Sequence, residues 1–435
     1  EILDLQEHCK QHHVRLVPSL ASFGHMETIL ALPKYRELGE MPGTNDYPGG
    51  TTLCPTDPRS VRLMRDLYNE FVPLFEPVDF NVCGDETWEL GKGRSQAEAE
   101  QHGVARLYID FIKQLHELVA GHGKRMNMWA DIVLKHPEEL GNLPPGICLL
   151  NWDYDARGER FKYCRDLAEA GRPFKVCTGT SSWGRHAADT DNAMQNVINF
   201  VKLARKHGAE GVLNTDWGDS GHRNLLGVSL HGYAHAAAHA WNGQAVDDAG
   251  FTERFCRRTF GSDDGRLAES IRLAGRSRTT AQAPLYHVLV EPIHGNRRRF
   301  FDGINNRSPV RMGNARERDD INRASEEGLQ QVIDALTAPN LWPAPPEDLP
   351  AFERLALHEY ELAARMDVLA ACRALLAREL REGTKPKQAR CRELAEQTQR
   401  ATEDFKALWM ARNKPSRLDD NLALLQRATD ELKEL

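Results

Sequence analysis

The chain has 435 residues, enough on length alone to bury a large core in about two or three domains. It is 41% hydrophobic and 27% charged, with a formal net charge of −7 and a pI near 6.2. That is the balance of a globular protein without the basic excess of a nucleic-acid binder. No apolar run approaches the ~20 residues that span a bilayer, so neither nucleic acid nor membrane is an expected partner.

The opening "EILDLQEHCK" has no Met and no signal-peptide pattern, and reads as the middle of a helix, which predicts further chain upstream. One rhythm then repeats. Six short apolar runs predict strands: "VRLVPSL" (14–20), "VDFNVCGDE" (78–86), "RMNMWADIV" (125–133), "GICLLNWDY" (146–154), "PFKVCTGT" (173–180) and "GVLNTDWGD" (211–219). Amphipathic helices are predicted between them, most clearly at 60–76, 104–123 and 193–208. Thr56 and Asp57, with Pro58 behind them, are cap candidates for the first. The other two end at Gly, as helices often do.

Short strands alternating with helices imply a parallel sheet with right-handed crossovers. Each run carries its reactive-looking residues at its C-terminal end, where a (β/α)₈ barrel forms its active site. Six strands fall short of eight, which predicts an α/β fold: a TIM (β/α)₈ barrel whose first two strands precede residue 1. The rival is an open doubly wound sheet, but no Gly-rich phosphate fingerprint follows any strand. After about residue 245 the pattern changes. Residues 246–310 read as a helical and irregular connection, and 311–435 as an α-helical bundle domain, with "LWPAPPEDLP" (341–350) as a Pro-rich link. The nine cysteines have no compact disulfide spacing. Cys83, Cys148 and Cys177 lie in apolar runs, the pattern of reduced core thiols in a reducing, cytoplasmic-type compartment.

Asp85 and Glu86 end the second run side by side, after Gly84. Alone, such a pair is most simply an exposed turn with two solvated acids. Yet Trp129, Trp152, Trp183 and Trp217 each stand at or just past the end of a different predicted strand, where four indoles can cage a sugar ring. Asp131, Asn151, Asp153, Asp216 and Asp219 accompany them and suit sugar hydroxyls.

"PSLASFGH", "VCGDE", "MWADIV", "NWDY" and "NTDWGDSGH", in that order, resemble the barrels of glycoside hydrolase family 20, the β-N-acetylhexosaminidases. The resemblance spans about residues 1–245, from the family's third strand onward. The later part looks more like the branch that includes hexosaminidase D. It implies an exo-acting, retaining hydrolase of terminal β-linked N-acetylglucosamine or N-acetylgalactosamine. No cofactor and no metal are expected. Most retaining glycosidases need two carboxyls about 5–5.5 Å apart across the bond, whereas in this family the substrate's 2-acetamido oxygen attacks. Glu86 then matches the general acid, and Asp85 the group that holds the acetamido N–H. Their repulsion and a partly dry pocket are expected to keep Glu86 protonated. By the same resemblance His25 lies near the sugar pocket, Trp129, Trp152 and Trp217 look like acetamido-pocket or platform residues with Trp183 beside them, and Asp219 like a distal hydroxyl contact. Asp131 is placed there or as a buttress for the Trp. The family's first-strand Arg is outside this chain. Its seventh-strand Tyr has no counterpart in "CTGTSSWGRH", leaving Tyr154 as the substitute.

Three other features compete for a role. His231, His235 and His239 share one helical face with metal-site spacing, but no acid lies among them and the helix should pack outside the barrel. "GNRRRFF" (295–301) reads as an ion-paired loop. "WMARNKPSRLDDN" (409–421) is either an interhelical loop or a segment reaching a catalytic mouth, in this subunit or in the neighbour of a homodimer. Two function classes remain: the hydrolase, acting on carbohydrate, and a non-catalytic carbohydrate-binding or scaffold protein that keeps the barrel.

Overall fold

The computed structural model describes residues 1–42, 48–293 and 319–435. The "GNRRRFF" segment lies outside them. Five strands, β1 (Asp79–Asn81), β2 (Arg125–Trp129), β3 (Cys148–Trp152), β4 (Phe174–Gly179) and β5 (Gly211–Thr215), form one sheet in the order β1-β2-β3-β4-β5. Every pairing is parallel. A doubly wound sheet reverses its strand order at a switch point. This order is monotonic, as in half of a barrel.

The run at 14–20 departs from its expected strand. It makes one parallel bridge, Ser19 to Asn81, in which Asn81 donates its N–H to the Pro18 carbonyl and Leu20 donates to the Asn81 carbonyl. Pro18 has no N–H with which to extend a ladder. The β2–β3 crossover also departs from the rhythm. Two 3₁₀ turns, Val133–Lys135 and Pro137–Asn142, replace an α-helix, in a stretch broken by Pro137, Pro144 and Pro145.

The other predicted helices form close to their expected bounds. Pro58–Phe71 is capped by Asp57, whose carboxylate accepts the Arg59 N–H, a contact worth about 1 kcal/mol. Val104–Gly121 and Thr190–Lys206 follow β1 and β4. Strand alternation sorts the sheet's two faces. Phe80, Met126, Met128, Leu149 and Val176 pack outward under the helices. Trp129, Cys148, Leu150 and Cys177 form a separate inner cluster with Cys83 and Trp152. All nine cysteines are free thiols.

Beyond β5, Phe251–Phe260, Arg266–Ala281, Ala351–Arg381, Gln388–Arg412 and Leu418–Glu434 are helical. One hydrophobic cluster joins them to the barrel side, from Ala187 and Leu225 through Ile271 and Leu376 to Leu432. Polar anchors cross the same interface. Glu359, fully buried, accepts the Gly227 N–H and pairs with Arg412 at 3.0 Å. Among the described residues no helix is long and apolar enough to cross a membrane.

Candidate active site

Beyond Asn81 the chain leaves β1 through a turn that few L-residues adopt. Cys83 (φ 61°), Gly84 (φ 80°) and Glu86 (φ 48°) are all left-handed, as are His25 (φ 57°) and, at the ends of other strands, Ser181, Ser220 and His222. Gly84 adopts this conformation freely, but each non-glycine residue there costs about 1–3 kcal/mol and persists only where the surroundings over-determine it. Here the restraints are visible. Tyr108 donates its hydroxyl to the Gly84 carbonyl at 2.8 Å. The Glu86 N–H donates to Asp131 Oδ2 at 3.3 Å, and the Glu86 carbonyl accepts from Trp88 N–H.

The loop carrying His25 closes over this turn. A Cβ on Gly24 would lie 2.2 Å from the Asp85 carbonyl oxygen, so only glycine permits the approach. His25 Nε2 stands 3.2 Å from Asp85 Oδ2 and 3.4 Å from Glu86 Oε2. Both carboxyls are largely covered, while His25 is at the rim. The two acids therefore do not face each other alone: the His25 ring nitrogen lies within reach of both carboxyls, and when protonated it offsets the repulsion expected from their adjacency. Asp131, buried, takes its place behind Glu86 rather than behind a Trp. Burial first, and the Asp85 charge second, raise its carboxyl to about 6.

Hydrogen bonds to Asp85 and then Glu86 hold the His25 imidazole up to about 10, against burial. We expect it to stay protonated through neutral pH. A raised folded-state pKa binds the proton more tightly in the folded state, so this stabilisation is full below about 6.5 and is lost as pH rises toward about 10. An NMR titration of the His25 ring tests this: Asp85→Asn should return its midpoint toward 6.5. A wild-type midpoint already near 6.5 would remove the bridge.

The aromatic residues converge as one chain of contacts. The Trp129 and Trp217 ring centroids lie 5.9 Å apart. Trp217 Nε1 donates to the Tyr154 hydroxyl at 3.1 Å. Tyr154 stacks on Trp152 at 5.2 Å and meets Trp183 edge-on at 5.0 Å. The Trp129 N–H donates to the Cys83 carbonyl, which ties this wall to the carboxylate turn. Burial chiefly, with the Asp85 charge as a minor cause, raises the Tyr154 phenol. The Arg160 guanidinium covers one face of Trp152 at 3.7 Å.

Three of the polar residues read as hydroxyl contacts are committed elsewhere. Asn151 is fully buried and donates to the Arg160 carbonyl. Asp153 accepts from Arg160 and Asp155 N–H groups. Asp216 accepts from the Thr180 and Ser182 hydroxyls. Asp219, half-buried, begins the 3₁₀ turn Asp219–Gly221 two residues past Trp217.

That turn is braced from far away. The Tyr286 hydroxyl donates to the Ser220 carbonyl at 3.1 Å, and its ring covers the buried Arg223 guanidinium at 4.0 Å. Asn421 Nδ2 donates to the Gly221 carbonyl at 2.6 Å, and Trp409 meets His222 edge-on at 6.3 Å. The 409–421 segment thus supports the loop that bears Trp217 and Asp219. Nothing in the local sequence pattern of Tyr286 signals this role, whereas Asn421 ends the Pro-broken segment that the sequence left open between an interhelical loop and one reaching the mouth. His25, Asp85 and Glu86 also offer donor atoms within 4.8 Å of one another, a spacing open to a cation.

Gly24→Ala is expected to displace the Asp85 turn and lower any turnover at this site by about 10²-fold, as for a misplacement near 1 Å. Gly121→Ala, whose Cβ meets nothing within 4 Å, should leave it unchanged. Equal turnover in the two variants, with native circular dichroism, would mean the loop contact does not position the pair.

Residues 1–259 match the family model "Glycosyl hydrolase family 20, catalytic domain". The chain is similar to hexosaminidase D of Homo sapiens, 22% identical over 251 residues, covering 52% of this chain and 49% of that protein. It is also similar to hexosaminidase D of Bos taurus, 24% identical over 255 residues, covering 52% of this chain and 69% of that protein. The chain thus spans about half the length of the human relative. Among solved structures, a chitobiase of Flavobacterium johnsoniae aligns with 98% of this chain and 68% of its own at 16% identity, with a TM-score of 0.47. With well over half of its residues matched by the family model, the chain belongs to glycosyl hydrolase family 20.

Proposed function

We propose that this chain acts as an exo-β-N-acetylhexosaminidase that retains anomeric configuration through its substrate's own acetamido group. The observation that carries the proposal is the single-turn placement of Asp85 and Glu86, bridged by His25 and tied through Cys83 to the aromatic wall. Two carboxyls on adjacent residues are poorly placed to flank a glycosidic bond as acid and nucleophile. They are well placed to divide the work when the nucleophile comes with the substrate.

In this mechanism Glu86 gives its proton to the glycosidic oxygen as the bond to carbon 1 breaks. The 2-acetamido oxygen attacks carbon 1 from the opposite face and closes an oxazolinium ring. Asp85 accepts the acetamido N–H and stabilises the positive charge that develops there. Glu86, now a carboxylate, takes a proton from water, which opens the ring with retention. The Asp131 bond to the Glu86 backbone holds the acid in place across both steps. Trp129, Tyr154, Trp183 and Trp217 form the apolar wall for the sugar and its methyl group. Trp152 backs Tyr154, and Asp219 serves an outer hydroxyl. These groups all come from the family-matching part of the chain, and the helices Gln388–Arg412 and Leu418–Glu434 brace the rim.

A colorimetric assay with an aryl N-acetyl-β-glucosaminide tests the activity. Release of the phenol, abolished by Glu86→Gln together with Asp85→Asn, is the expected result. Binding of N-acetylglucosamine by folded protein without any hydrolysis would replace the enzyme with a carbohydrate-binding protein.

A further inference from the structure

Outside the candidate active site, the helix Leu230–Asn242 carries a second cluster of donor atoms. His235 and His239, four residues apart, share one face of the helix. They are 1% and 5% exposed, with ring centroids 4.6 Å apart. The Nε2 of each lies 2.8 Å from the same oxygen, Asp248 Oδ1, and the three donor atoms lie within 4.8 Å of one another. This carboxylate comes from the loop before Phe251–Phe260, which is why four-residue spacing alone could not reveal it. Its neighbour Asp247 is already paired with Arg254, so Asp248 alone of the two faces the histidines. The Asp248 side chain is 34% exposed, which leaves one side of the cluster in contact with water. Phe251 closes another side, edge-on to His235 at 4.8 Å.

We propose that His235, His239 and Asp248 form a binding site for a zinc-class divalent cation, with water completing the coordination. Two imidazoles and a carboxylate are a known zinc donor set, with metal–ligand lengths of about 2.0–2.2 Å and tetrahedral angles. Those lengths separate neighbouring ligand atoms by about 3.3 Å. The 2.8 Å contacts seen here need to open by only about half an ångström, and Asp248 stands on a loop that can supply the movement. The bound ion ties that loop to the helix following β5. The site does not depend on the hydrolase activity, and its test does not use it.

The full chain is stripped with a chelator, dialysed and titrated with Co²⁺, followed by its visible absorption, and then with Zn²⁺. Bound metal is counted by mass spectrometry. One ion per chain is expected, with intense tetrahedral cobalt bands that zinc displaces. Asp248→Asn and His239→Ala should each weaken binding at least about tenfold. Asp248→Asn is nearly isosteric at a partly exposed position, so it carries the test if His239→Ala does not fold. Two controls separate other sources of binding: His12→Ala removes half of the exposed His8–His12 pair, and His25→Ala disrupts the catalytic-turn cluster. Both should bind as the wild type does. If the wild type binds no ion, or if a control rather than Asp248→Asn loses it, Asp248 is only the acceptor of two imidazole N–H groups and the site is refuted.

Discussion

Glu86→Gln lowers turnover on a β-linked N-acetylglucosamine disaccharide by about 10²–10⁴-fold, the usual worth of general acid catalysis. The sugar leaving group of that substrate departs as a poor alkoxide unless it receives a proton. An aryl glycoside with an acidic phenol leaves with little help, so its loss is much smaller. The contrast between the two substrates is the informative quantity. Gln keeps the shape of Glu, and the backbone at residue 86 is held by Asp131 and Trp88, so a general loss through misfolding is not expected. His25 retains Asp85 as its other partner. Measured kcat/KM values that fall equally for both substrates would remove Glu86 from the role of acid.

The second large effect belongs to the substrate. An aryl β-glucoside with a 2-hydroxyl in place of the 2-acetamido group is expected to be hydrolysed at least about 10³-fold more slowly, since an intramolecular nucleophile is worth several kcal/mol of barrier. Asp85→Asn removes the charge facing the oxazolinium while conserving shape. Its expected cost is about 10²–10³-fold in kcat, comparable to losing one preorganised electrostatic contact. Stable mimics of the bicyclic oxazoline should bind much more tightly than the product sugar. A 2-fluoro glycoside followed by mass spectrometry decides the matter. A covalent sugar on an Asp or Glu of this chain, with efficient hydrolysis of the 2-hydroxyl substrate, would falsify substrate assistance.

Much of this geometry was readable in one dimension because strands and their ends have local signatures. The runs at 125–133, 146–154, 173–180 and 211–219 are short apolar stretches that give way to polar or aromatic residues toward their C-terminal ends. β2, β3, β4 and β5 fall inside them. Asp57 and Pro58 announced a helix start that the structure keeps. The run at 14–20 looked equally apolar, but a single proline limits its pairing to one bridge. Contacts between distant segments left no such trace. His25 and the Asp85–Glu86 pair are about sixty positions apart, and the charge that joins them depends on a loop passing over Gly24. Asp248 stands nine residues beyond His239, outside any helical spacing. The change of pattern near residue 245 marked the end of the strands but not the packing across it, where Glu359 and Gly227 meet.

The Asn421–Gly221 hydrogen bond joins positions 200 residues apart, and this has a consequence for the protein during its synthesis. Ribosomes add about 5–20 residues per second, so roughly 10–40 s pass between the appearance of Gly221 and that of Asn421. Throughout that interval the nascent chain already contains the carboxylate turn and every aromatic residue of the wall. The loop bearing Trp217 and Asp219 still waits for its outer brace. A premature stop codon between residues 260 and 420 would therefore release a chain with the whole family-matching segment and a rim that lacks its Asn421 brace.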